Sequence, residues 1–382
     1  MMASVSQARA KLATRLAFIA AGFAVACWAP LVPYAKARCQ VGDGAMGLIL
    51  LLLAAGSVIA MPFAANLSAR FGSKPIVFLG GAGSAIVLPS LSRAASPVTL
   101  GAALFVFGAS LGSLDVAMNL HAVDVERVSE KPLMSGFHAL FSIGGFLGSG
   151  MMTALLSRRV PPDISTILSS TILVLIVLFA FPRMLSNREE ILQPLFAVPK
   201  GVVLAIALLA AISFLLEGAL LDWSALLLVG ERLLSPERGG LGYMFFSIAM
   251  TFSRFIGDRF VARFGNRIAL TLSGVATMVG FCLLLLSPFA SIALLCFILI
   301  GLGAANIVPI LFRLAGTQQA MPKGLAVAAL TTAGYSGMLT GPAVIGFISK
   351  GIGLHNAFWL LAGLPLCTPL LSRYVTSDQP SA

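Results

Sequence analysis

The fold is decided by residues 200–229, KGVVLAIALLAAISFLLEGALLDWSALLLV, in which only Lys200, Glu217 and Asp222 are charged. A helix of this length extends for about 45 Å, whereas the hydrocarbon core of a bilayer is about 30 Å thick. A run so long and so apolar is typical of a membrane-spanning helix.

Twelve apolar stretches of this kind cover most of the chain. Several contain Gly and Pro, which membrane bundles tolerate because neighbouring helices satisfy the freed backbone groups. We therefore predict an all-α integral membrane protein with twelve transmembrane helices. The stretches run over residues 14–35, 45–66, 75–93, 97–121, 133–157, 164–182, 200–229, 239–262, 267–287, 289–313, 324–349 and 355–374.

The composition excludes most other classes of protein. The chain has 382 residues, 58% hydrophobic and 10% charged, whereas soluble domains are about 25% charged. A soluble enzyme, a nucleic-acid-binding domain and a disordered protein are therefore excluded, and the bilayer is the expected surrounding. The five cysteines and three histidines show no metal-ligand spacing. We expect no metal, no cofactor and no nucleic acid.

The loop charges predict the orientation. With the N-terminus inside, 17 of the 25 Lys and Arg residues lie in inner segments and the other 8 lie in outer segments. Positively charged loops favour the cytoplasm, and an even number of spans returns the chain to the side where it began. Both termini are expected to be cytoplasmic, in a bacterial inner membrane. Residues 24–26, AVA, are similar to a signal-peptide cleavage site, but the apolar run continues to Pro33, so we expect no cleavage.

The chain also contains an internal repeat. Residues 69–72, ARFG, recur at residues 262–265, and Gly47, Gly108 and Gly148 recur at the same offset. Two parallel six-helix repeats are predicted, with residues 1–182 as the first half, residues 183–199 as a cytoplasmic linker and residues 200–382 as the second half. Parallel repeats of this kind are a known transporter architecture, with the binding site between the halves.

The loop after the second span resembles the conserved loop of the major facilitator superfamily, which reads G-x-L-x-D-R-x-G-R-K. The matching residues are LSARFGSK at 67–74, where Ala69 replaces the acid and Ser73 replaces the first base. The second copy also has alanine at the acid position, at Ala262. The resemblance implies that the loops gate the cytoplasmic side, whereas the alternative is ordinary positive charge on the inner face. The gating candidates are Arg70, Gly72, Lys74, Arg254, Asp258, Arg263, Gly265 and Arg267.

Three stretches are similar to the MosC-like branch of that superfamily. They are SLDVAMN at 113–119, FHALFSIGG at 137–145 and EGALLDWS at 217–224. The branch implies a small organic solute.

Ionisable residues inside the spans are the first candidates for function, because each costs about 2.5–3.5 kcal/mol at the centre of a bilayer. Asp115 and Asn119 are four residues apart and share one helix face. His138 and Ser142 lie at similar depth in the next helix. These four residues are expected to form a polar strip for a proton relay or for substrate binding, or alternatively an Asp–His pair that locks two helices together.

The second half supplies further candidates. Glu217 and Asp222 point about 140° apart in a regular helix, so both face one cavity only if the helix unwinds near Gly218. Asp222 with Trp223 is alternatively an anchor at the membrane interface. The remaining candidates for the substrate or proton pathway are Trp28, which stacks on a ligand or packs in the aromatic belt, Asn306 and Tyr335.

Taken together, these features predict a secondary active transporter that moves a small organic solute by alternating access, coupled to protons. The solute is sugar-like, a cyclitol or another metabolite, and we expect the protein to act as a monomer. The alternatives are a drug or metabolite efflux antiporter and a membrane receptor or scaffold without flux. An enzyme is not expected.

Overall fold

The computed structural model describes residues 2–129, 133–185, 198–231 and 233–377, with the backbone alone at residues 2–6, 135, 258, 323, 324, 328 and 339. Within these ranges the regular secondary structure is entirely helical. The helices are α1 (Met2–Ala26), α2 (Val32–Cys39), α3 (Asp43–Phe71), α4 (Ser73–Arg93), α5 (Pro97–Ser129), α6 (Met134–Ser157), α7 (Pro162–Ala180), α8 (Val202–Gly230), α9 (Leu241–Leu286), α10 (Ala290–Ala304), α11 (Ile307–Thr317), α12 (Lys323–Ile352), α13 (Leu354–Gly363) and α14 (Cys367–Val375), with short 3₁₀ turns at Ala29–Leu31, Phe181–Arg183, Pro236–Arg238 and Leu364–Leu366.

Ten helical segments within the described ranges are long and apolar enough to cross a membrane. The two other predicted spans, 239–262 and 324–349, coincide with the first part of α9 and with α12. The 30 residues of α12 extend for about 45 Å, which is ample for a span. The predicted all-α integral membrane fold is confirmed.

The internal repeat is visible in the backbone. Gly72, which joins α3 to α4, has φ 86° and ψ 158°. Gly265, its counterpart in the second ARFG element, has φ 77° and ψ 162° and divides α9 into two spans. Both values lie in a region that glycine adopts readily and other residues rarely adopt. The two copies of the element therefore form the same turn.

Helix packing follows the same repeat. A Cβ atom on Gly108 would lie 1.8 Å from the carbonyl oxygen of Leu53, and one on Gly301 would lie 2.5 Å from the carbonyl oxygen of Phe246. Gly301 and Phe246 are the repeat counterparts of Gly108 and Leu53. Consequently α5 approaches α3 closely at a glycine, and α10 approaches α9 closely at the equivalent glycine of the second copy.

The buried apolar residues form a different arrangement at each face of the bundle. We call the face that holds the start of α1 and the end of α14 the terminal face, and the opposite face the distal face. At the distal face one continuous core contains residues from both sets of helices, among them Trp28, Leu50, Trp223, Phe246 and Ile345. At the terminal face one cluster belongs to α1–α7 with the adjoining residues 181–185, and a separate one belongs to α8–α14 with the adjoining Met321.

Direct contacts between the two sets of helices lie mainly toward the distal face. A Cβ atom on Gly346 of α12 would lie 2.7 Å from the Cα of Gly47 on α3. Ser149 of α6 donates a 3.0 Å hydrogen bond to the carbonyl oxygen of Gly240, and Ser157 donates to that of Glu237. The structure is therefore closed at the distal face. The predicted division at residues 183–199 stays a prediction, because residues 186–197 lie outside the described ranges.

Candidate functional site

Asp115 is held at the centre of the bundle by partners on two helices. It lies near the midpoint of α5, and Tyr335 lies near the midpoint of α12. The Tyr335 phenol donates a hydrogen bond to Oδ2 of Asp115. The Asn119 amide, one turn along α5, donates to Oδ1 at 3.2 Å and to the Asp115 carbonyl oxygen at 2.9 Å. Both carboxylate oxygens thus accept a hydrogen bond, and one of these bonds joins α1–α7 to α8–α14.

A second polar link crosses the same interface. The Nη1 atom of Arg254, on α9, donates a hydrogen bond to the hydroxyl of Ser142, on α6. Glu217, on α8, lies within electrostatic reach of the Arg254 guanidinium, but these two described side chains form no ion pair within 4.0 Å. The two groups therefore interact electrostatically over a distance longer than that of an ion pair.

Arg254 is not part of a surface loop, contrary to the sequence interpretation. It lies within the first half of α9, eleven residues before the turn at Gly265, and its Nε is buried without a hydrogen-bond partner. The basic residues that follow it, Arg259 and Arg263, made the segment resemble a loop. Arg254 therefore lies with Asp115, Tyr335, Ser142 and Glu217 in a polar layer within the bundle, which we call the central layer.

His138 lies beside this layer but does not bind Asp115. Its ring is exposed and contacts the edge of Phe18, with ring centroids 5.2 Å apart. It also lies within electrostatic reach of Arg254. Among the described residues no hydrogen bond joins Asp115 to His138, and Tyr335 occupies the place that the sequence had suggested for the histidine.

The distal side of the site contains two buried indoles and a buried carboxylate. Trp28 and Trp223 are completely buried, and Asp222 is 6% exposed and lies beside the Trp28 indole. A belt residue at the membrane interface needs exposure to lipid headgroups. The alternative that Trp28 or the pair Asp222 and Trp223 serves as an interfacial anchor is therefore wrong.

Tyr243, which the sequence did not single out, connects the two acids of α8. Glu217 and Asp222 both lie within electrostatic reach of its hydroxyl, and Ser247 lies close to it. Helix α8 is continuous from Val202 to Gly230, so the unwinding at Gly218 that would let both acids face one cavity is absent. A tyrosine within an apolar span is the signal that would have revealed Tyr243.

Asn306 has an internal packing role. Its Nδ2 atom donates to the hydroxyl of Ser253 at 3.0 Å and to the Ser253 carbonyl oxygen at 3.4 Å. A Cβ atom on Gly257 would lie 2.0 Å from the Asn306 Oδ1 atom. Asn306 thus joins the start of α11 to α9 and is 9% exposed.

The loop residues lie on the terminal face. Arg70, Arg263 and Arg267 are exposed. Lys74 lies over the ring of Phe181, 4.8 Å from its centroid. The side chain of Asp258, another gating candidate, lies outside the described part of the structure. Among the described residues none of these four basic side chains forms an ion pair.

The comparisons with known proteins decide the family. The sequence model of the Major Facilitator Superfamily matches residues 15–318. The chain belongs to the major facilitator superfamily. It is a membrane transporter and not an enzyme.

Related proteins support the same assignment. An uncharacterized MFS-type transporter from Yersinia pestis is 43% identical over 96% of each chain. The membrane protein MosC from Rhizobium meliloti is 29% identical over 95% of this chain and 90% of that protein, in agreement with the resemblance found in the three motifs. The crystal structure of the nucleoside transporter NupG shares the fold, with a TM-score of 0.74 and 15% identity over 97% of this chain and 100% of that chain. A bacterial homolog of the human lysosomal transporter Spinster does so with a TM-score of 0.70 and 14% identity over 98% of this chain and 99% of that chain.

Proposed function

We propose that this chain is a secondary active transporter that moves a small organic solute across a bacterial inner membrane by alternating access. Protons drive it, and a single chain forms the complete transport unit. The solute is sugar-like, a cyclitol or a related metabolite. The observation that carries the proposal is the hydrogen bond from Tyr335 to Asp115, which places an intramembrane carboxylate at the contact between the two sets of helices.

The conformation supports alternating access. The excess of Lys and Arg predicted for the inner segments supports a cytoplasmic location for the terminal face. The distal face is closed by one shared core, whereas the terminal face has two separate cores. This is the arrangement expected of an inward-facing transporter. Movement of the two sets of helices about the central layer would close the terminal face and open the distal face.

Asp115 is suited to couple protons to this movement. A carboxylate accepts a stronger hydrogen bond when it is ionised than when it is neutral. Protonation of Asp115 therefore weakens its bond to Tyr335 and loosens the contact between α5 and α12. Loss of the proton restores the bond. Ionised Asp115 therefore favours the conformation in which α5 and α12 are in contact, and protonated Asp115 favours their separation.

Arg254, Ser142 and Glu217 are the other residues of the central layer, beside Asp115 and Tyr335. Arg254 offers N–H donors and Glu217 offers oxygen acceptors, and no ion pair within 4.0 Å joins these two described side chains. A solute hydroxyl can accept from the first and donate to the second. Together with His138, Asn119 and Tyr335, these residues are the proposed pathway for solute and protons.

Transport is tested in proteoliposomes by counterflow with a panel of radiolabelled sugars, cyclitols and small metabolites. We expect at least one to exchange across the membrane, and an inward proton gradient to drive its accumulation. In Asp115→Asn, accumulation should be lost while exchange continues. Asp163→Asn is the matched control, because it makes the same change in the first turn of α7, away from the central layer. Failure of every solute to exchange, with folded protein, would favour a receptor or scaffold.

A further inference from the structure

Among the described residues that are more than nine-tenths buried, five polar atoms on the distal side of the central layer lack a partner in hydrogen-bond geometry. They are the Nε1 atoms of Trp28 and Trp223, the hydroxyls of Thr153 and Ser224, and Oδ1 of Asp222. All five residues are more than nine-tenths buried. Buried polar atoms in folded proteins are nearly always paired, so a group of unpaired ones needs a reason.

The five residues belong to segments that meet under the distal closure. Trp28 precedes the turn Ala29–Leu31, which contacts both α6 and α8. A Cβ atom on Gly240, at the start of α9, would lie 2.3 Å from Oγ1 of Thr153 and 2.5 Å from Cγ of Pro30. The Asp222 carboxylate of α8 and the Trp28 indole are close enough to interact, but Trp28 Nε1 and Asp222 Oδ1 do not meet the geometry of a hydrogen bond. Opening of the distal face would separate these segments and expose the unpaired groups.

We propose that Asp222, Trp28 and Thr153 form a second binding site, which holds a neutral solute through neighbouring hydroxyl groups when the distal face is open. We call it the distal site. It rests on the proposed transport function and narrows the solute to a neutral polyol. On distal closure the solute leaves this site for the layer of Asp115 and Arg254, and the unpaired atoms remain behind.

The donors and acceptors determine the class of solute. Asp222 accepts, the Trp28 indole N–H donates, and the Thr153 hydroxyl does either. A hydroxyl group donates and accepts at once, so a pair of hydroxyls satisfies the whole set. A carboxylate would be repelled by Asp222, and an ammonium group would leave the Trp28 N–H unpaired. Indole rings also supply flat apolar surface for the C–H face of a polyol.

Equilibrium binding to protein in lipid nanodiscs, without any proton gradient, tests the distal site. The probes are D-glucose, D-galactose, D-mannose, sorbitol and myo-inositol, with D-glucosamine and D-gluconate as the cationic and anionic counterparts. We expect saturable binding of at least one neutral probe and weaker binding of both charged ones. Asp222→Asn and Trp28→Phe should each weaken it about tenfold, as expected for the loss of a buried hydrogen bond. Trp359→Phe, at an exposed indole on α13, should leave it within about twofold, since it removes no group of the site.

A second variant tests the dependence on distal opening. Gly346→Trp cannot fit against Gly47 in the closed form, so it should favour the distal-open state and strengthen polyol binding. Gly363→Trp is the control, because nothing lies within 4 Å of a Cβ atom there. Unchanged binding in Asp222→Asn, preference for a charged probe, or no binding of any neutral probe would each overturn the distal site. Loss of proton coupling in Asp115→Asn with normal polyol binding in Asp222→Asn would overturn the distal site and leave the proposed function standing.

Discussion

The hydrogen bond between Tyr335 and Asp115 should couple the two sets of helices energetically. Tyr335→Phe removes the phenol oxygen and keeps the ring, whose centroid lies 6.1 Å from that of Phe214. Asp115→Asn keeps the shape of the side chain and removes its charge. Hydrogen bonds between membrane helices contribute about 0.6 kcal/mol on average, whereas hydrogen bonds to charged groups contribute about 1.5–3 kcal/mol. We expect a coupling energy of about 1–2 kcal/mol, between these two values.

The assay is a double-mutant cycle on the free energy of unfolding in mixed micelles, with both single variants and the double variant. The bond between Thr14 and His121, 2.9 Å long and within α1–α7, provides a neutral reference cycle with an expected coupling of about 0.6 kcal/mol. A coupling between Tyr335 and Asp115 no larger than that of the reference pair would refute the claim that this carboxylate holds the two sets of helices together through its charge.

Three further predictions concern topology, gating and stability. Reporter fusions after residue 187 should report a cytoplasmic location and fusions at Ser235 a periplasmic one, and the reverse pattern would overturn the orientation. Arg263→Ala should reduce the transport rate more than Lys74→Ala at matched expression, because the first copy of the loop element has lost more of the family pattern than the second, which keeps Arg263, Gly265 and Arg267; equal effects would contradict this. His121→Leu should lower the free energy of unfolding by about 1–3 kcal/mol, since the backbone N–H of Leu185 then loses its 2.9 Å bond to Nε2. Unfolding at the wild-type midpoint would show that this bond is unimportant.

The spans and the internal repeat could be predicted because both are local features of the sequence. Apolar runs longer than the bilayer is thick allow only helices. The glycines at 72 and 265 recur in identical tetrapeptides, and the structure gives both the same positive φ. Asp115 and Glu217 could be singled out for a similar reason, since a carboxylate in an apolar run is costly wherever the chain places it.

The partners of these residues could not be predicted, because they come from distant parts of the chain. Tyr335 lies 220 residues from Asp115, and only the docking of α12 against the first helices brings them together. Arg254 seemed to belong to a loop because the basic residues that follow it lie on the same helix beyond the membrane-spanning part. Burial of Trp28 and Trp223 depends on the distal closure, which no local pattern encodes.

Proton movement during solute entry tests the central claim most directly. Proteoliposomes loaded with a pH-sensitive dye, without any imposed gradient, are given a solute identified by counterflow. Coupled entry through the wild type and through Asp163→Asn should acidify the interior, and Asp115→Asn should exchange the solute without a dye response. A normal dye response in Asp115→Asn would contradict the assignment of proton coupling to this carboxylate.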